Sequence, residues 1–167
     1  MDRQTVIKYI KKKYDASPEY LWKRYPDYAV FRHEDNSKWF ALMAGVPGSK
    51  LGLAEDNPVE VINLKIDDLF FRDMLIKEEG IMPAYHMNKQ HWITVLLDGT
   101  VSDQRIHDLI DMSFLATTSA KKKEKIRPPK RYKPDKFTFE RLKTDYGIYA
   151  VRGPRGMPNS LSEALKT

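Results

Sequence analysis

Val6, Ile7, Ile10 and Tyr14 recur at helical spacing, and Lys8, Lys11, Lys12 and Lys13 fill the opposite side, so the pattern predicts an amphipathic helix over Arg3–Tyr14. Ser17-Pro18-Glu19 breaks or restarts the backbone. Tyr20, Leu21, Trp22, Tyr25 and Tyr28 then read as an aromatic bridge packing that helix onto a sheet, with a stacking platform for bases as the weaker alternative. Tyr28–Arg32 and Lys38–Met43 are rich in aromatic and branched residues around the turn Glu34-Asp35-Asn36-Ser37, the signature of a hairpin. Ala44–Pro58 holds three glycines and reads as a loop.

Along the third predicted strand, Val59–Ile66, Val61, Asn63 and Lys65 point to one side and Ile62, Leu64 and Ile66 to the other. A helix should follow, with Asp67 as N-cap, Ile66 and Phe71 as a hydrophobic staple, and Leu69, Phe70, Met74 and Leu75 facing inward. Its expected stop is Gly80. Trp92–Leu97 is the clearest strand and ends at the turn Asp98-Gly99. Val101 and Ile106 then flank a Ser102 N-cap, opening a long helix whose inward stripe is Ile106, Leu109, Ile110 and Phe114. This order predicts an α+β two-layer domain, an antiparallel sheet with helices packed on one face. No glycine-rich phosphate loop follows a strand, which disfavours the nucleotide-binding α/β folds.

Charge divides the chain in two. Residues 121–167 hold 14 Lys and Arg against 5 Asp and Glu, whereas residues 1–120 hold 15 against 18. The basic character therefore belongs to the C-terminal extension, which is also broken by proline and reads as extended structure with a short strand and helix beyond it. The expected organisation is a domain over 1–120 and a basic extension over 121–167. The chain has no cysteine, so disulfides and thiolate chemistry are excluded. Its longest apolar run, Trp39–Val46, is far shorter than the roughly 20 residues a bilayer-spanning helix needs. A cytoplasmic monomer without membrane attachment or cofactor is the expectation.

The densest chemistry lies between Gly80 and Leu97, where Tyr85, His86, Asn88, Lys89, His91 and Trp92 share one short turn. His86 and His91 lack the i,i+4 spacing of a helical metal pair, and no third ligand is implied, so no metal is assigned. No orienting carboxylate marks a catalytic histidine. Two readings stay open: Lys89 and His86, with Asn88, Lys65 and Asn63, converge on an anion, or Asn88 and His91 bond the turn's own backbone while Trp92 and Tyr85 fill the edge of the core.

The stretches Tyr25–Phe31, Trp39–Leu42, Ile62–Lys65, Pro83–Trp92 and Leu109–Ser113, in that order, resemble the MmcQ/YjbR family. The most specific is Tyr85-His86-Met87-Asn88-Lys89-Gln90-His91-Trp92. The resemblance covers about residues 1–120 and implies a CyaY-like fold, also called a double wing, and DNA binding, with no catalytic residues to carry over. An iron-handling role by the same analogy is disfavoured by the lysine-rich first helix.

The functional expectation is a non-catalytic nucleic-acid-binding protein whose partner is DNA or another polyanion. Phosphate contacts would come from Lys11, Lys12, Arg32, Lys38, Lys65, Lys89, Lys121, Lys122, Lys123, Arg127, Lys130 and Arg131. The alternatives are a small-ligand or anion-binding domain, an enzyme included, centred on Tyr85, His86, Asn88, Lys89 and His91, and a protein-interaction module that docks through the extension.

Overall fold

The computed structural model describes residues 1–120 together with 122 and 123. The expectations for a strand and helix beyond residue 123, and for the structure of the extension generally, lie outside the described residues. Three helices, α1 (Arg3–Tyr14), α2 (Leu69–Leu75) and α3 (Asp103–Thr117), accompany five strands. The strands are β1 (Ala29–Arg32), β2 (Trp39–Pro47), β3 (Pro58–Lys65), β4 (Ile81–Pro83) and β5 (Trp92–Leu96). They form one sheet in the order β1-β2-β3-β5-β4, antiparallel throughout. The fold is α+β, as the pattern predicts.

Strand register fixes what each face carries. Ala29, Met43, Ile62, Val95 and Ile81 form one row across the sheet. All five join Val6 and Ile10 of α1, Leu75 of α2 and the Ile106, Leu109, Ile110 and Phe114 stripe of α3 in the main core. The adjacent row, Val30, Leu42, Asn63, Thr94 and Met82, points the other way. That second face carries a smaller apolar cluster of Ala44, Val46, Val61 and Leu96, with Tyr28, Leu51, Met82 and Tyr85 packed around it. None of α1, α2 and α3 contributes to this cluster, so the sheet has one face covered by α-helices and one free of them.

A bulge anchors α3 to the sheet. Phe31 pairs with Ala41 but Arg32 pairs with Trp39, which leaves Phe40 as an extra residue on β2. Phe40 and Ala41 consequently both face the helices. The bulge takes the Phe40 carbonyl and the Lys65 amide out of the strand ladder, and the buried Ser113 hydroxyl of α3 serves both: it donates to Phe40 O and accepts from Lys65 N at 2.7 Å. On the outer side of the helix layer, the Asp111 carboxylate of α3 accepts from the Tyr9 and Tyr14 hydroxyls and from Lys13, which ties α1 to α3.

Several local expectations are corrected. The N-cap of α2 is Asp68, whose carboxylate accepts from Phe71 N at 2.8 Å, and not Asp67. The inward residues are Leu75, Phe71 and Ile76, while Leu69, Phe70 (76% exposed) and Met74 face solvent. Apolar residues surround this short helix on all sides, so hydrophobicity alone selects no face. The helix ends at Leu75, five residues before Gly80. Gly80 does adopt the left-handed conformation (φ +79°), but as the entry to β4, where a Cβ would lie 2.7 Å from Val101. Strand β2 runs on to Pro47 and pairs with the start of β3, so the expected loop begins only after it, with a 3-10 turn at Gly48–Leu51. The capping of α3 by Ser102, with Val101 and Ile106 buried beside it, is as predicted.

The hairpin tip docks on the end of α3. Asn36 donates to Thr117 O, Ser119 to Asp35, and the buried His33 Nε2 lies 2.8 Å from Thr117 Oγ1 and 3.1 Å from Phe114 O. Burial pushes the His33 pKa below its ordinary value, with Lys122 and Lys38 acting in the same direction and Asp35 and the Phe114 carbonyl opposing it. The folded state thus binds this proton less readily than the unfolded chain, and stability falls as the pH drops below about 6.5. Denaturation curves across that range should show this slope in the native protein, and His33→Gln should remove the part that His33 contributes. Replacing Ser113 by Ala should cost roughly 1–3 kcal/mol, because two buried backbone groups lose their partner. A denaturant series reads that difference directly.

Candidate nucleic-acid interface

The turn between β4 and β5 is held by side chains reaching up from the helix-free face. Tyr85 N donates to Thr94 Oγ1 at 2.8 Å, the Thr94 hydroxyl donates to Asn63 Oδ1, and the Asn63 amide donates to Tyr85 O at 3.0 Å. Both backbone groups of Tyr85 are therefore satisfied, and Asn63 is buried with its Oδ1 and Nδ2 both engaged in this ring of bonds. Asn63 is not the anion donor that its residue type suggested. Downstream, Asn88 Oδ1 accepts from Gln90 N, while Asn88 O accepts from the amides of His91 and Trp92. Asn88 thus follows the structural reading, and so do the buried Trp92 and the partly buried Tyr85. The His91 ring does not bond the turn: its Nδ1 is buried with no partner among the described residues.

Those bonds leave other side chains to line an open groove of about 510 Å³. Lys50, Leu51, Met82, Tyr85, His86 and Lys89 border it, and no carboxylate does. His86 adopts the left-handed conformation (φ +55°), uncommon outside glycine, and its exposed ring meets Tyr85 edge-on at 4.0 Å. Lys89 is exposed. Lys50 was not foreseen, because the 48–51 turn carries no sequence motif that points back at the Tyr85 turn. Among the described residues, no three His, Asp or Glu side chains are grouped closely enough to hold a metal ion.

The aromatic bridge is also corrected. Tyr20 (54%), Leu21 and Tyr25 (45%) are exposed, and none of the five bridge residues joins the helix-side core. Trp22 instead meets Tyr28 and Trp39 edge-on at 6.1 and 5.8 Å, Tyr25 stacks on Tyr28 at 4.9 Å, and Arg24 lies over the Tyr25 ring. Tyr28 packs on the same small cluster as Tyr85. Burial, with Tyr85 and Asp27 nearby, pushes the Tyr28 phenol up. Strand alternation carried the signal for this placement: Ala29 and Phe31 face the helices, so Tyr28 faces away.

The expected phosphate contacts divide. Arg32 is held by both oxygens of Glu19, and Lys65 lies 3.8 Å from Asp67. Lys11, Lys12 and Lys38 are exposed without an ion-pair partner among the described residues. Lys122 lies over the Phe114 ring at 5.5 Å, and Lys123 donates to Ala116 O. Lys121, Arg127, Lys130 and Arg131 lie outside the described residues. No helix among the described residues is long and apolar enough to cross a membrane.

A five-stranded antiparallel sheet with helices on one face, and on the other an aromatic patch beside a carboxylate-free groove, defines a small α+β domain. The chain belongs to the YjbR family, whose model matches residues 11–116. It is 40% identical over 117 residues to YyaQ of Bacillus subtilis (strain 168), covering 70% of this chain and 98% of that protein. A crystal structure of a protein from Pseudomonas syringae is similar at 51% identity with a TM-score of 0.69, covering 71% of this chain and all of that one. A Deinococcus radiodurans protein aligns at 25% identity with a TM-score of 0.55, over 75% of this chain and 88% of its own.

Replacing Thr94 by Val should break the ring of bonds around Tyr85 and leave the Tyr85 amide and the Asn63 carbonyl without a partner, at a cost of roughly 1–3 kcal/mol. Hydrogen exchange should show the Tyr85 amide exchanging faster in that variant, with the α3 amides slowed or hastened only as global stability changes.

Proposed function

We propose that the chain is a nucleic-acid-binding protein that holds backbone phosphates through lysines and arginines of the 1–120 domain and of the basic 121–167 extension. The observation that carries this reading is a set of lysines without ion pairs, two of which border a groove that no carboxylate borders. Residues 1–120 have more carboxylates than cations, but every carboxylate there except those of Asp15, Glu34 and Glu79 holds a hydrogen bond or an ion pair. Lys8, Lys11, Lys12, Lys23, Arg24, Lys38, Lys50, Lys77 and Lys89 hold no ion pair among the described residues. A hydrogen-bonded carboxylate keeps its charge, so the availability of cations is local: Lys50 and Lys89 border a groove that no carboxylate borders, which favours an anionic partner there. Within the set expected from sequence, Lys11, Lys12, Lys38, Lys89 and Lys122 are the contacts this reading retains in the described residues.

Phosphate neutralisation releases counterions, so affinity must fall steeply with salt. A titration of labelled DNA across a salt series should give a linear dependence of log K on log salt for the full chain. Lys38→Ala and Lys89→Ala should each weaken binding and reduce that slope by about 1 if the lysine contacts one phosphate. Absence of any complex at low salt contradicts the proposal. The groove supports a second reading, capture of a small anion, which predicts that inorganic phosphate alone perturbs His86 and Lys89 at concentrations that leave Lys38 untouched.

A further inference from the structure

We infer that the nucleic acid bound is single-stranded, and that the helix-free face of the sheet binds it, stacking unpaired bases on aromatic rings and holding phosphates with the lysines of the neighbouring groove. This rests on the phosphate-binding reading above and names its substrate class. Trp22, Tyr25, Tyr28 and Trp39 form a continuous aromatic patch on that face, linked ring to ring at 4.9 to 6.1 Å. They are not consumed in the helix-side core, and Tyr25 is 45% exposed.

Exposing rings of this size to water is unfavourable unless a partner covers them, and the flat face of a nucleobase is a fitting cover. In a duplex those base faces are already stacked, so only an unpaired strand can present them. Successive bases on successive aromatics are the common device of proteins that bind single strands, and its energy tolerates any sequence.

The cations lie where the backbone of such a strand would run. Tyr28, in the aromatic patch, and Tyr85, on the groove, pack against the same Ala44, Val61 and Leu96 cluster, so patch and groove adjoin on one face. Lys50 and Lys89 border the groove, and Arg24 lies over the Tyr25 ring at 5.9 Å. No carboxylate borders the groove to repel phosphate. The helix-covered side offers lysines on α1 but no aromatic patch, because Tyr9 and Tyr14 are spent on Asp111, His107 and Phe114.

The test titrates the full chain at low salt with oligothymidylate, oligouridylate and a duplex of equal length, following anisotropy of the labelled strand. At least one single strand should bind more tightly than the duplex, and the two sugar backbones then identify DNA or RNA as the natural form. Tyr25→Ala, at an exposed position outside the main core, should weaken single-strand binding roughly tenfold, whereas Tyr25→Phe keeps the ring and should bind like the native chain. Lys89→Ala should weaken single strands and duplex together. Duplex binding at least as tight as both single strands, or full affinity in both Tyr25→Ala and Trp22→Ala, overturns this inference and leaves the phosphate reading standing. Failure of the native chain to bind any of the three overturns both.

Discussion

Strands β2, β3 and β5 carry buried side chains on both faces, yet the three helices cover only one of them. On that side burial is achieved by regular packing, the α1 and α3 stripes against the Met43 and Ile62 row. On the other side the chain covers itself with irregular pieces: the Tyr85 turn, the Leu51 segment and the aromatics before β1. Irregular covers need side-chain bonds to satisfy their backbone, which is why Asn63 and Thr94, polar residues in the middle of a sheet, are buried there and spent on Tyr85. The same imperfect cover leaves Tyr25 and the Lys50 to Lys89 groove open to solvent. Architecture and candidate function therefore share one cause.

The helix layer is held to the sheet by polar contacts as well as by area. Ser113 spans the gap that the Phe40 bulge opens in the ladder, and the bulge in turn directs two consecutive side chains, Phe40 and Ala41, toward the helices. Asp111 gathers two tyrosines and a lysine from α1, so the acidic side chain of one helix is fully used by the other. This pattern recurs across the domain, where carboxylates cap helices, close turns or pair with arginine. The lysines do none of these things to the same degree, and a domain with a nominal excess of acid still presents cations to its surroundings.

The sequence disclosed most where two signals coincided. The start and the buried stripe of helix α3 were legible to the residue because the Ser102 cap, the Val101 and Ile106 staple and a long apolar stripe agree. Helix α2 was not, since Leu69, Phe70, Phe71, Met74, Leu75 and Ile76 surround a short helix and a one-residue error in the cap turns it to another face. Gly45 and Pro47 concealed the second half of β2, where strand pairing overrides local preference. The Tyr85 turn was recognisable as a special corner, but its division into spent and available groups depended on contacts with β3 and β5 far away in the chain. Asn63 looked like a donor and is consumed, whereas Lys50 carried no signal and borders the groove. The aromatics before β1 were visible as residues but not as a surface, because only the face assigned to Tyr28 by alternation separates a core bridge from an open patch.

The most direct measurement is a nuclear magnetic resonance titration of the full chain with oligothymidylate, following the three tryptophan indole N–H signals beside the backbone amides. The account predicts that the Trp22 and Trp39 indoles and the amides of the Tyr85–Lys89 turn shift together and saturate at one stoichiometry, while the buried faces of α1 and α3 stay unmoved. Shifts confined to the helix side of the domain, with Trp22 and Trp39 unperturbed at saturation, would contradict it.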